Sequence, residues 1–149
     1  MSGRQLSLFE KLKSFKIKGK NKASSQSKKK IQGDKAEALA CSYLQKHSLI
    51  LLEKNFATRA GEVDLIMRDK NDTETLIFVE VRYRKNQDFG GAAASVTSKK
   101  QQRIIKAALA YQQQNAPQSS MRFDVVAVEG DNSDKDMNID WIKSAFDGF

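Results

Sequence analysis

The chain has 149 residues, 40% of them hydrophobic and 30% charged, with a formal net charge of +8. That length suffices for one domain with a real core and leaves little room for a second. Cys41 and His47 are the only residues of their types, which excludes an intramolecular disulfide framework, cysteine- or histidine-based zinc sites and most serine–histidine triads.

The charge is unevenly placed. Residues 1–30 carry ten basic residues against the single acid Glu10, or +9, while residues 31–149 come to −1. A basic tail is therefore joined to a nearly neutral domain, and inferences about polyanionic partners apply to each part separately. No apolar run approaches the roughly 18–20 residues of a membrane span, and the N-terminus lacks the apolar stretch of a signal peptide. A soluble, cytoplasmic protein with no membrane partner is expected.

In chain order, residues 1–32 read as a flexible basic tail, with 10–32 as a linker too polar to offset its ordering entropy. Order is expected from Gly33-Asp34 onward, in a domain spanning 33–149. Ala36, Ala40, Tyr43, Leu44 and His47 recur at helical spacing and predict a first helix over 34–47. Leu49 to Phe56 and Glu62 to Met67 read as strands separated by a turn at Thr58 to Gly61, and Asp69 to Glu74 as a hairpin turn. Leu76-Ile77-Phe78-Val79 is apolar on both faces, as a central strand requires. Arg84 to Ser95 forms a loop containing Gly90-Gly91. Thr97 or Ser98 caps a second helix over Lys99 to Gln113, with Ile104, Ile105, Ala108 and Leu109 facing inward. Arg122 to Glu129 is a further strand, Asp131 to Asp136 a polar loop, and Ile139, Trp141, Ile142 and Phe146 close the domain. The order α-β-β-β-α-β describes an α/β domain: a three-strand meander, then a crossover helix to another strand, giving a central mixed sheet flanked by helices.

Two strands carry acids where packed strands should not. Glu62 and Asp64 share one strand face, and Glu80 and Arg82 share a face of the next, because strand periodicity is two. An unpaired carboxylate in apolar surroundings costs several kcal/mol or takes up a proton. Asp64 and Glu80 lie on strands expected to be adjacent and antiparallel, so both can converge at one end of the sheet. A divalent cation is the simplest way to hold them ionised together, and oxygen-only ligands favour Mg²⁺ or Mn²⁺ over zinc. The competing account is structural: Glu80 pairs with Arg82 or Arg59, and Asp64 accepts hydrogen bonds from a turn.

An acid on one strand followed by Glu-x-Lys or a variant on the next resembles the PD-(D/E)XK signature of the restriction-endonuclease-like fold. More specifically, Gly33-Asp34-Lys35-Ala36-Glu37, Gly61-Glu62-Val63-Asp64-Leu65-Ile66, Phe78-Val79-Glu80-Val81-Arg82-Tyr83-Arg84 and Arg122-Phe123-Asp124-Val125-Val126 together resemble the bacterial YraN family, over roughly residues 31–149. The resemblance implies an endonuclease-like fold near the Holliday junction resolvases. It also implies metal ligation by Asp64 and Glu80, completed by Glu37 on the first helix, with Glu62 as an outer acid. Arg82 stands where the general motif has lysine. Arginine stays protonated and cannot serve as a base, but it can hold a phosphate oxygen or stabilise developing charge. Lys100, near the start of the second helix, is the candidate replacement ammonium; its alternative is an ordinary solvated lysine. Resolvase-like enzymes commonly act as dimers, so a homodimer is implied without an identifiable face.

Arg82, Arg84, Lys85, Lys99, Lys100, Arg103 and Lys106 stand against Asp88 alone, making this stretch locally +6. They form a candidate phosphate-binding rim suited to backbone and shape recognition of DNA. In the tail, Gln5-Leu6-Ser7-Leu8-Phe9 places three large apolar residues in an otherwise polar segment. The pentapeptide resembles the motif by which bacterial DNA-processing proteins bind the replication sliding clamp, with Leu6, Leu8 and Phe9 entering an apolar pocket and Gln5 making polar contacts. The alternative is a lysine-rich amphipathic helix that touches membrane or DNA. Two functions follow: a Mg²⁺- or Mn²⁺-dependent endonuclease on structured or branched DNA recruited through its tail, or a catalytically weak nucleic-acid-binding or adaptor module on the same fold.

Overall fold

A computed structural model describes residues 20–85, 91, 95–130 and 137–148, with side chains from residue 25 onward. The elements run α1 (Lys20–Lys46), β1 (Leu49–Ala57), β2 (Glu62–Asp69), β3 (Thr75–Arg84), α2 (Ser98–Asn115), β4 (Ser120–Glu129) and β5 (Asn138–Phe146). The five strands form one sheet in sequence order. β1, β2 and β3 are a meander, β3 and β4 pair in parallel, and β4 and β5 pair antiparallel. The α/β class and the α-β-β-β-α-β order expected from periodicity are present.

Each helix supplies one stripe to one face of the sheet. Ala36, Ala40, Cys41 and Leu44 of α1 are buried against Leu65, Met67, Ile77, Val79, Val126 and Val128. Ile104, Ile105, Ala107, Ala108 and Tyr111 of α2 pack with Ile66, Leu76, Phe78, Phe123 and Val125. Leu76, Ile77, Phe78 and Val79 are all fully buried, because β3 is covered on both faces. Thr97 caps α2, its hydroxyl accepting the Lys100 N–H.

Two expectations change. The linker expected over 10–32 is helical from Lys20, so α1 starts well before residue 34. Lysine, glutamine and alanine are good helix formers, and nothing from Lys20 to Gln32 breaks the helix. A polar composition identifies residues that cannot build a core, but does not prevent them from extending a helix. Gly33 itself lies inside α1, where the space around its Cα is open. The second change is at the C-terminal end, where the closing apolar residues form a fifth strand. Ser144 has a positive φ of 50°, and the β4–β5 register shifts between Phe123 and Val125, interrupting the alternation that would mark a strand in sequence.

Candidate functional site

The sheet opens between β2 and β3. Their ladder ends at Leu65↔Val79, although β2 begins at Glu62 and β3 continues to Arg84, paired with β4. The backbone N–H of Val81, left without a β2 partner, donates to Asp64 Oδ2 at 2.8 Å. Asp64 is thereby fixed in the opening by a strand N–H, rather than by the turn considered from sequence.

Glu80 enters the same opening from β3 and is 4% exposed. Its Oε1 lies 3.6 Å from Lys100 Nζ and 3.9 Å from Arg82 Nη1. Its Oε2 is buried and receives no hydrogen bond from the described residues. Burial, and then the neighbouring Asp64 carboxylate, push Glu80 up to about 8, against the pull of Lys100 and Arg82. Asp64 is also raised by burial, opposed by the Val81 N–H, by its hydrogen bond with Glu80 and by Lys100. The two carboxyl groups thus oppose each other's ionisation in a poorly solvated opening, and the larger upward shift falls on Glu80.

Glu37 reaches this region from α1. It is half-buried, raised first by desolvation and then by Asp64, and hydrogen-bonded to the Asn55 side chain. Asp34 and Glu62 add to the same negative field. Among the described residues, no group of three or more Asp, Glu, His or Cys side chains stands ready to hold an ion. The structure therefore joins Asp64 and Glu80 as a pair and leaves Glu37 at electrostatic range. The pair itself fits a hard cation: its donors are all oxygen, and one buried oxygen has no donor to satisfy it. Mg²⁺ typically takes one or two carboxylates and keeps several waters, so two ligands suffice.

The basic residues divide into two groups. Lys100 lies against Glu80, while the Arg82 guanidinium, which approaches Glu80 through Nη1, is anchored by Ser95: Nε donates to Ser95 Oγ at 3.3 Å and Nη2 to the Ser95 carbonyl at 3.1 Å. Arg82 thereby fastens the segment before α2 to β3. Lys85, Lys99 and Arg103 are exposed, and Arg84 is half-buried at the end of β3. Neither Ser95 nor Asn55 was singled out in the sequence, because a serine in a loop and an asparagine in an edge strand carry no spacing signal. Asn55 does adopt a positive φ of 52°, which asparagine tolerates better than most residues. Gln5, Leu6, Leu8 and Phe9 lie outside the described residues. No described helix is long and apolar enough to cross a membrane.

Fold and site together define an α/β protein whose parted central strands hold an oxygen-only carboxyl pair, Glu80 buried and Asp64 half-buried, beside a lysine. Residues 36–128 match the model of the family described as Uncharacterised protein family UPF0102. A UPF0102 protein of Nitrosomonas europaea is 45% identical over 116 residues, covering 78% of this chain and 93% of the relative. One from Nitrosospira multiformis is 43% identical, covering 79% and 94%, and one from Coxiella burnetii 45%, covering 77% and 91%. The chain belongs to the UPF0102 family, which is the YraN family that its motifs resemble.

Proposed function

We propose that this chain is a Mg²⁺- or Mn²⁺-dependent endonuclease that hydrolyses phosphodiester bonds in structured or branched DNA. The observation that carries the reading is the pairing of buried Glu80 with half-buried Asp64, with Glu80 Oε2 lacking a donor among the described residues and Lys100 Nζ 3.6 Å from Oε1. A cation bound by both carboxylates relieves their mutual repulsion and releases any proton that they hold. When bound, such an ion would act as a Lewis acid on the phosphate and supply a nucleophile at neutral pH.

The chain's own residues have separable roles. Asp64 and Glu80 hold the ion, and Glu37 and Glu62 strengthen the negative field around it. Lys100 reaches the ammonium position that the general motif gives to the second residue after the glutamate, and stabilises charge on the phosphate. Arg82 keeps α2's leading residues in place through Ser95. Arg84, Lys85, Lys99 and Arg103 contact neighbouring phosphates, which makes binding salt-dependent and insensitive to base sequence. The Gln5, Leu6, Leu8 and Phe9 peptide delivers the domain to DNA by docking on a sliding clamp, and a second copy serves the second strand of a junction.

The commitment of Arg82 to Ser95 supports a second reading, a catalytically weak nucleic-acid-binding or adaptor module. One assay separates them: purified protein with branched, flapped and linear DNA in Mg²⁺ and in Mn²⁺, alongside Asp64→Ala, Glu80→Ala and Lys100→Met. Cleavage abolished by each substitution supports the nuclease. Cleavage that survives Asp64→Ala and Glu80→Ala sinks the site assignment, and binding without cleavage in either metal favours the adaptor.

A further inference from the structure

We propose that a crevice at the opposite end of the sheet binds a small carboxylic acid with an apolar body. It encloses about 260 Å³ and is lined by Leu52, Arg68, Leu76, Tyr111, Asn115 and Ala116. Arg68 and Leu76 close the end of the β2–β3 ladder remote from Leu65↔Val79, so the crevice lies away from Asp64 and Glu80. Its volume is just below the roughly 300–1,000 Å³ of drug-sized pockets, so its ligand is small.

The walls are mainly carbon: Leu52, Leu76, Ala116 and the Tyr111 ring. The charged group among them is Arg68, and its bonding is incomplete. Nε is buried without a hydrogen-bond partner among the described residues, and Nη2 reaches Ser119 Oγ only at 3.4 Å. Among the described residues, no carboxylate lies at ion-pair distance from it. The end of α2 does not need it either. The Tyr111 carbonyl accepts from Asn115 Nδ2 at 3.1 Å, the Gln112 carbonyl from the Ala116 N–H at 2.8 Å, and the Ser119 carbonyl from Gln112 Nε2. A buried donor without a partner is costly, and more so on a charged group. A carboxylate in the crevice forms a charge-assisted pair with the Arg68 guanidinium, while its hydrocarbon body displaces water from Leu52 and Tyr111.

The entrance is also built for access. Leu52 sits at the β1 bulge, where the register shifts between Leu51 and Glu53, and is 41% exposed. Bulges re-aim side chains, and here one leaves a leucine at the mouth of a cationic crevice instead of in the core. The acid can be a free metabolite-sized molecule or the C-terminal residue of a peptide, since both present a carboxylate on an apolar stem.

The test is a ¹⁵N NMR titration of the full chain with 4-methylpentanoate, with N-acetyl-leucine as a mimic of a peptide terminus, and with 4-methylpentanamide as the neutral isostere. The expected result is saturable shifts confined to residues around Leu52, Arg68, Tyr111, Asn115 and Ala116. The amide should bind about tenfold more weakly, since it forfeits the charge-assisted pair. Preference for N-acetyl-leucine assigns a chain terminus as the natural source; preference for the free acid assigns a small molecule. Arg68→Gln should weaken both acids about tenfold. Leu52→Trp, at an exposed position, should fill the crevice and abolish binding, and it decides the matter if Arg68→Gln fails to fold. No saturable shift at these residues, or equal affinity for acid and amide, overturns the proposal.

Discussion

At the scale of single residues, two buried acids behave in opposite ways. Asp124 is fully buried yet saturated: Arg122 donates to it through Nε at 2.9 Å and Nη2 at 2.8 Å, Trp141 Nε1 at 2.9 Å and the Ser144 N–H at 3.0 Å. It joins β4 to the irregular part of β5. Asp124→Ala strands these donors and should cost about 3–5 kcal/mol, read from urea unfolding. Glu80 is buried and undersaturated. Its carboxyl rises to about 8 through burial and then Asp64, against an ordinary 4.5, so the folded chain keeps a proton that the unfolded chain has released. Its stabilising contribution is full below about pH 4.5 and is lost as pH rises through about 8. Metal-free protein should therefore lose stability between pH 5 and pH 8 in urea melts, and Glu80→Gln should flatten that slope. An unchanged slope would mean that the Glu80 carboxyl is not held protonated. Both acids are visible in the sequence as charges within strands. Which one is a structural anchor and which a candidate ligand is not visible, because that depends on donors from Trp141 and Ser144, or on their absence at Glu80 Oε2.

At the scale of elements, the placement of α2 decides the surroundings of the site. Gly61, at the end of the Thr58 turn, is buried against the α2 backbone: a Cβ there would lie 2.6 Å from the Arg103 carbonyl carbon and 2.9 Å from its Cβ. Neither neighbour is a flexible side-chain end. Arg103 is one turn beyond Lys100, so the same contact holds the lysine-bearing turn near Asp64. Gly61→Ala should cost about 1–3 kcal/mol in chemical denaturation through overpacking. Gly33→Ala provides the opposite case. That glycine is within α1 with nothing near a new Cβ, and the substitution should raise stability by about 0.5–1 kcal/mol. Stability lost at Gly33 or unchanged at Gly61 would contradict these placements. A sequence marks both as glycine within or beside a periodic segment; close approach by a helix about forty positions away in one case and open space in the other are tertiary facts.

At the scale of the whole molecule, the +8 net charge combines unlike parts. The first 30 residues alone come to +9, the stretch from Arg82 to Lys106 forms a second basic concentration, and the acids Glu37, Glu62, Asp64 and Glu80 gather toward one opening. The proposed division of labour gives the tail recruitment and the domain chemistry. Leu8→Ala with Phe9→Ala should abolish affinity for a purified sliding clamp in calorimetric titration while leaving the domain's unfolding transition unchanged. Undiminished affinity would exclude the docking role.

Periodicity alone determined the element order as far as β4, the doubly covered β3 and the two helix stripes, because the burial of alternate or every-third-and-fourth residues is a local consequence of backbone geometry. It also determined that Asp64 and Glu80 are out of place in packed strands. Only the tertiary structure decided that β2 and β3 part after Leu65↔Val79, that Val81 donates to Asp64, that Arg82 is bound to Ser95, and that Lys100 stands beside Glu80. Each of these is a contact between residues on different elements. The energy of such a contact depends on distance and desolvation, quantities fixed when the layers pack and absent from the order of the residues.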